Sequence, residues 1–546
     1  MKQNFVDILL PTESADGYYM NKQKNTIAEF IYIEPEWYNK LFDINTFYIL
    51  GPKGSGKTLY AAYMCAEIRN NTISKSHTID VGDYGKLIAM KMENRLNYTD
   101  YLTMWKVILL QKFLLGLKPD EISFWGRTKN FQELQKTISG YFGYDVTDDS
   151  FNPVSVIDSF GKQSEVTNYL KGQITGGVST TPATFSSMFE GTGEEKQQCS
   201  VDQKSKHVSM TYTDTWMRSI DAFKKTIEKI TFKHNHFLFI DGLDVRPRDI
   251  EAKEYSECIG ALVRAVFEIN TKILGNMERK DDRDFKIIAL TRTDIFLNSN
   301  LVNVTSCIND NCLELDWTYS NEKEFKFSHL YRMMNRVLGW NGTSSDYPVE
   351  AFLSFDTGVF SNRPLKASMY IQRQSRQRPR DIVVLLRLIQ KECKKRGLSN
   401  PTPEVFSAPS FISAYSNYYT DQVKSEMMFQ YTSDTIKDIF QLVKSAKTEV
   451  FKESDFRKVF TQYTEQNPHF LQIFKDYRSV LNMLYSLDIL GWRERYIGQI
   501  KLHWHYREVK AIDETYRLPW EQIARAKKVF FLIHKGATKH LLGSIR

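Results

Sequence analysis

Gly51-Pro52-Lys53-Gly54-Ser55-Gly56-Lys57-Thr58 fits G-x-x-x-x-G-K-[ST] at every fixed position. Residue types at that spacing suit one task, the holding of phosphate. Glycines at 54 and 56 let the backbone close around an anion, because side chains there would block the approach of phosphate oxygens. Backbone N–H groups and the positive end of a following helix then point at the phosphates. Lys57 is expected to reach the β- and γ-phosphates, and the Thr58 hydroxyl to ligate Mg²⁺. Four more side chains complete the candidate set. Asp241 ends the apolar run 237–240 and is expected to hold Mg²⁺ through water. Asp244 is the candidate for polarising an attacking water, with a turn or helix-cap carboxylate as the alternative. Arg292 follows the apolar run 285–290 and Thr291, where it would sense the γ-phosphate or else pair with Asp294. Arg380 falls in the first turn of a helix opened by Pro379, from which it would reach the phosphates as part of a small lid.

These residues need a scaffold that brings four separate stretches together. Phe47 to Leu50 reads as a buried strand feeding the loop, and Leu59 to Arg69 as the helix after it. Thr78 to Val81 is expected to be a second strand and Tyr101 to Leu117 an amphipathic helix. Phe237 to Ile240, Phe285 to Leu290 and Leu313 to Trp317 supply the remaining strands. Strands alternating with helices in this way specify an α/β, doubly wound P-loop domain over 46–325. Gly, Ser, Thr, Asn and Asp become frequent over about 120–212, which reads as an insertion with hairpin character. Residues 1–45 read as a lead-in packing against that domain.

The remainder divides by pattern. Residues 326–430 read as a helical lid carrying Arg373, Arg376, Arg378 and Arg380, which otherwise form an arginine-rich surface loop touching nucleic acid or a partner. Over 431–510 the pattern is three helices (Thr435 to Ser445, Ser454 to Gln466, Tyr477 to Leu487) and two strands around 493–497 and 499–505, the plan of a winged helix-turn-helix. On double-stranded DNA its third helix would enter the major groove, with Arg493, Arg495, Lys501 and His503 on the wing. That third helix offers chiefly Arg478 as a cation, so a wing that packs on protein is equally consistent. Residues 511–546 are expected to hold one basic amphipathic helix, Pro519 to Leu542, with Arg525, Lys527, Lys528, Lys535 and Lys539 on its polar side.

Composition bounds the rest. At 546 residues, 42% hydrophobic and 25% charged, the chain has room for two to four folded domains. Thirty-five Phe and 29 Tyr argue against extended disorder. Six cysteines and ten histidines are scattered without zinc or disulfide spacing. No apolar run is long enough for a membrane span, and Met1 to Leu10 lacks a charged-then-apolar leader pattern, so the expectation is a cytoplasmic protein with no membrane partner. A net charge of +8 permits nucleic-acid binding without demanding it.

Taken together, the loop, the Asp241-Gly242-Leu243-Asp244 strand end, the Arg378-Pro379-Arg380-Asp381 lid start and the winged-helix pattern resemble STAND and origin-recognition-type AAA+ ATPases. Phe239-Ile240-Asp241-Gly242-Leu243-Asp244 is similar to the magnesium motif of NACHT-like ATPases, with Val245 where an acidic residue usually follows. Leu290-Thr291-Arg292 is similar to a STAND sensor strand. The lid and the Leu315-Asp316-Trp317 segment resemble a bacterial group of P-loop ATPases found in antiphage defence loci. The resemblance spans 46 to about 510 outside the insertion, and its most specific part is the loop. It implies ATP and Mg²⁺ as cofactors, hydrolysis of ATP, and a nucleotide-dependent switch that forms a homo-oligomer and controls an effector protein in trans. DNA remodelling through the winged helix, or a nucleotide-binding scaffold with little turnover, are the alternatives.

Overall fold

A computed structural model describes residues 4–19, 26–79, 98–122, 131–132, 220–244, 246, 250–279, 281–299, 301, 303–319, 322–339, 347–358, 365–496, 499–508, 518–526 and 528–543. The expected insertion therefore lies almost entirely outside the described residues.

Five parallel strands form the central sheet in the order β2-β3-β4-β1-β5: β1 (Tyr48–Leu50), β2 (Thr72–Thr78), β3 (Asn235–Asp241), β4 (Phe285–Thr291) and β5 (Cys312–Glu314). Register sets which residues share the upper edge. Leu50 pairs with Thr291 and Thr78 pairs with Asp241, so the phosphate loop, Asp241 and Arg292 all leave the sheet at the ends of their strands. β4 lies between the strand that feeds the loop and the strand that ends in Asp241.

Alternation along the strands divides the apolar residues between two layers. Tyr48, Leu50, Leu238, Ile240, Ile287 and Ala289 pack with α3 (Tyr98–Leu115) and α4 (Ala252–Glu268). Ile49, Phe237, Phe239, Ile288 and Leu290 face the opposite way, onto α1 (Pro35–Phe42), α2 (Lys57–Ala66) and helices from the second half of the chain. Both faces are covered, as a parallel sheet requires. α3 is less amphipathic than its sequence suggests, since even Gln111 and Lys112 are buried.

Beyond β5 come α5 (His329–Gly339), α6 (Ala367–Gln374), α7 (Pro379–Lys395) and α8 (Pro409–Met427), followed by α9 (Ser433–Ser445), α10 (Glu453–Gln466) and α11 (Tyr477–Ser486). A second, antiparallel sheet has the order β6-β9-β7-β8, with β6 (Val450–Phe451), β7 (Leu490–Tyr496), β8 (Gln499–His503) and β9 (Phe530–Ile533).

Four expectations need correcting. The second strand is 72–78, so it ends where the expected one began, and Asp80 and Val81 of that expectation lie outside the described residues. Its sequence, Thr-Ile-Ser-Lys-Ser-His-Thr, is polar because β2 is an edge strand and only half-buried along most of its length. β5 stops at Glu314, and Trp317 beyond it is a loop residue whose indole N–H donates to Ser55 O at 2.8 Å. The single basic helix over 519–542 is instead α12 (Trp520–Arg525), then β9, then α13 (Lys535–Leu542). Phe531 and Ile533 are buried while Phe530 and Leu532 are half-buried, a period of two that overrides the helical spacing of the surrounding lysines. His503, expected on an exposed wing, is buried and stacked on Trp492 with centroids 3.8 Å apart.

Candidate functional site

The loop from Gly51 to Gly56 leaves β1, and α2 starts at Lys57. Its shape depends on what lies against it. Gly54 has φ +86°, and a Cβ there would come within 3.1 Å of Arg380 Cβ, so the start of α7 is seated on the loop backbone. Arg380 N–H donates to Gly54 O at 3.2 Å. From the other side Trp317 holds Ser55, and Tyr19 donates to Thr58 O at 3.3 Å.

Lys57 is buried, and its ammonium donates to Gly51 O at 2.9 Å and Pro52 O at 3.1 Å. Burial brings its pKa down to about 8, while Asp244 and Asp241 pull the other way. Thr58 donates its hydroxyl to Asp241 Oδ2 at 2.6 Å, across 183 residues of sequence. The other oxygen of Asp241 accepts from Gly242 N–H at 2.8 Å. Gly242 has φ +89°, and a Cβ there would lie 2.2 Å from Ile79 O, so this turn admits no side chain. Burial raises the Asp241 pKa, and the Thr58 and Gly242 donors offset part of that shift.

A hydroxyl and a buried carboxylate in contact form a hard-oxygen donor pair suited to Mg²⁺. A divalent cation there would also relieve the burial that disfavours the Asp241 charge. The residues present therefore fit the ion.

Lys57, Thr58, Asp241, Asp244 and Arg380 all border one cavity of about 300 Å³. Part of its wall is apolar. Tyr18, Phe30 and Ile31 line it from the N-terminal segment, Met333 and Val337 from α5, and Val383 from α7. Tyr32 ties this wall to α2, since Tyr60 donates its hydroxyl to Tyr32 O at 3.2 Å. The hydroxyl of Tyr32 bonds Glu34 and lies 3.1 Å from His329 Nδ1 of α5. Sequence reasoning treated 1–45 only as a lead-in. The signal was present in the aromatic pairs at 18–19 and 30–32, whose spacing has no single helical or strand period.

Arg292 is not among the residues bordering that cavity. It lines a neighbouring space of about 520 Å³ on the other side of Pro52 and Lys53, and its guanidinium makes a forked contact with Asp294, with Nε donating to Oδ1 at 2.9 Å. Burial works against its charge, but Asp294 and Glu426 outweigh that and raise its pKa.

Two other arginines of the expected lid, Arg376 and Arg378, are buried, which removes the surface-loop alternative for them. Arg376 Nε donates to Asp381 Oδ2 and its Nη1 to Glu426 Oε1, both at 3.1 Å. Arg378 bonds the same Glu426 oxygen, and its Nη2 reaches Asp488 Oδ2 at 3.1 Å. Glu426 ends α8 and Asp488 precedes β7, so this cluster joins the start of α7 to the C-terminal sheet. Although buried, Glu426 has its pKa pulled down to about 2 by Arg378 and Arg376. Arg373 remains exposed. Neither Glu426 nor Asp488 stands out in the sequence, where each is a single acid in an ordinary context.

No family model and no curated protein matches the chain. Among solved structures, the chain is similar to the Aeropyrum pernix ORC2 protein in its ADPNP–ADP complexes, with 9% identity and a TM-score of 0.28, covering 100% of this chain and 99% of that one. A likeness at that level carries no argument, so the site stands on its own geometry. Among the described residues, no helix is long and apolar enough to cross a membrane, and no group of three or more His, Cys, Asp and Glu is arranged to hold a metal ion.

Proposed function

We propose that this chain is a Mg²⁺-dependent ATPase whose nucleotide lies in the cavity bordered by Lys57 and Arg380, with the phosphates on the loop and the base on the apolar part of the wall. The observation that carries this reading is the 2.6 Å contact between Thr58 and Asp241, a pair of hard oxygens, one of them on the residue after Lys57, that supports a magnesium site. Bound Mg²⁺ would neutralise charge on the phosphate oxygens and fix their geometry. The chain's own residues do the rest. Lys57 exchanges two neutral carbonyl acceptors for charged phosphate oxygens, a stronger bond for a buried cation. Asp244 borders the phosphate end and is the candidate to orient and polarise the attacking water. Arg380, attached to the loop through its own backbone, is placed to stabilise charge developing at the terminal phosphate. Arg292 would act on the phosphates only after leaving Asp294.

The reading extends to a switch. α5 to α8 act as a lid, and the C-terminal helices and sheet, read as a winged helix-turn-helix, follow it through Arg378 and Asp488. The proposed output is nucleotide-dependent homo-oligomerisation that controls an effector in trans, in bacterial antiphage defence. A DNA-binding role is the second reading, favoured by the outward face of the second sheet, where Arg493 is half-buried and Arg495 is exposed.

Turnover of ATP by the full chain, measured with and without Mg²⁺ and with and without duplex DNA, tests the assignment. Asp241→Asn should abolish Mg²⁺-dependent turnover, and wild-type rates in that variant would mean that another group holds the metal. Strong stimulation by DNA with a steep salt dependence favours the second reading over the first. Tight ATP binding with no turnover leaves a scaffold.

A further inference from the structure

Lys53, at the third position of the loop, borders both the 300 Å³ cavity and the 520 Å³ space behind it. Its ammonium donates to Ser425 Oγ, near the end of α8 and 372 residues away in sequence. Its backbone carbonyl lies 3.4 Å from Arg378 Nη1. The residue after Ser425 is Glu426, the carboxylate that Arg376 and Arg378 share. The Lys53–Ser425 bond and the Arg378 contact with the Lys53 carbonyl thus join the phosphate loop to the charged cluster that leads to β7.

Two features decide what would displace that bond. Ser425 is a neutral, half-buried acceptor, whereas a phosphate oxygen is charged and binds an ammonium more strongly. Lys53 also shares its electrostatic surroundings with Lys57, since Asp244, Arg292 and Arg380 act on both. A phosphate chain held by the loop, with its base on the apolar part of the wall, would bring its terminal group to those shared charges.

We propose that Lys53 distinguishes a nucleoside triphosphate from a diphosphate, its ammonium leaving Ser425 for the terminal phosphate and so removing the side-chain bond between the loop and the end of α8. This rests on the ATP reading and adds to it the residue that reads the third phosphate and the element that responds.

Titration of the full chain with a non-hydrolysable ATP analogue and with ADP tests it. Lys53→Met should weaken the triphosphate about tenfold, the scale of one charge-assisted bond, and leave ADP within about twofold, which also shows that the variant is folded. Equal loss for both nucleotides, or loss for neither, overturns the proposal. Hydrogen exchange over 426–431 supplies the second arm. It should quicken in wild type with the triphosphate but not with ADP, and should ignore the nucleotide in Lys53→Met. Slower exchange with triphosphate in wild type would overturn the release of α8. Ser425→Ala should strengthen triphosphate binding without altering ADP, and weaker triphosphate binding would count against Ser425 as the resting partner. A wild-type chain that binds neither nucleotide overturns the ATP reading itself, an outcome distinct from a wild type that binds both while Lys53→Met behaves identically.

Discussion

Lys57 and Arg376 are both buried cations beside elements that meet at the phosphate loop, yet their partners differ in kind. Lys57 donates only to the carbonyls of Gly51 and Pro52. Arg376 is forked onto Asp381 and shares Glu426 with Arg378. A cation held by neutral dipoles gains by exchanging them for an anion, whereas a cation held by carboxylates loses by leaving them. The contrast separates the part of the molecule built to receive a charge from the part built to keep its shape. Arg292 belongs with the second group by its bond to Asp294, although its strand ends beside the first.

The largest test of this contrast is Glu426→Ala. It leaves two buried guanidiniums short of an anion, and should cost about 3–5 kcal/mol of stability in denaturant unfolding. A loss below about 1 kcal/mol would mean that the cluster relaxes without Glu426 and is no structural joint. Lys57→Ala comes next, and its effect should fall on binding and not on stability. ATP affinity should drop by about 100-fold, since a charged hydrogen bond to phosphate contributes up to ~3 kcal/mol. Unchanged affinity would sink the assignment of the loop.

pH separates the two regions further. Glu426 titrates near 2 when folded, below its ordinary 4.5, and Asp381 is also depressed, by Arg376 and Arg378 against the effect of burial. For acids lowered by folding, the contribution to stability is full above about pH 4.5 and disappears as pH falls toward about 2. Melting temperature should therefore decline through that acid window in wild type, and less steeply in Glu426→Gln. Lys57 acts at the other end of the scale. With its free-state pKa near 8, ATP affinity should weaken as pH rises above about 8, because the empty site then holds a neutral amine that must take up a proton on binding. Affinity that stays level to pH 9.5 would place that proton elsewhere. The smallest expected effect is on the outer sheet, where Arg495→Ala should change stability by no more than about 0.5 kcal/mol. Under the DNA reading it should lower the salt slope of duplex binding by about one.

What the sequence disclosed follows the same division. The loop was legible residue by residue because each position has a job that few residue types can fill, and so were the strand ends at Asp241 and Arg292. Pro379 marked the start of α7 because proline is suited to a first helical turn. The apolar part of the cavity wall was not legible, since Tyr18, Phe30, Met333 and Val383 come from four separate elements and carry no local pattern. The arginines of the lid were visible, but not the acids that bind them. Asp488 is assigned its role by a contact with Arg378 across 110 residues. β9 was misread because its neighbouring lysines fit a helix, and only pairing with β6 and β7 favours the extended form.

The position of β9 has a consequence for how the chain is made. It lies inside the second sheet, with β6 on one side and β7 on the other, and is the last of the four strands to leave the ribosome. Until it arrives, β6 has no partner and β7 pairs only with β8. α13 emerges after it and packs on α8, where Gly536 sits so close to the Tyr419 ring that a Cβ would lie 2.6 Å from it. His534 stacks on the same ring, and Tyr419 donates its hydroxyl to Asp488 O at 2.6 Å. A nascent chain therefore has every strand beside its phosphate loop, and Arg380 against it, before it gains the support behind Asp488, which comes only with β9 and α13. Premature termination before residue 530 would release a protein able to form the loop but lacking one of the two inner strands of its second sheet.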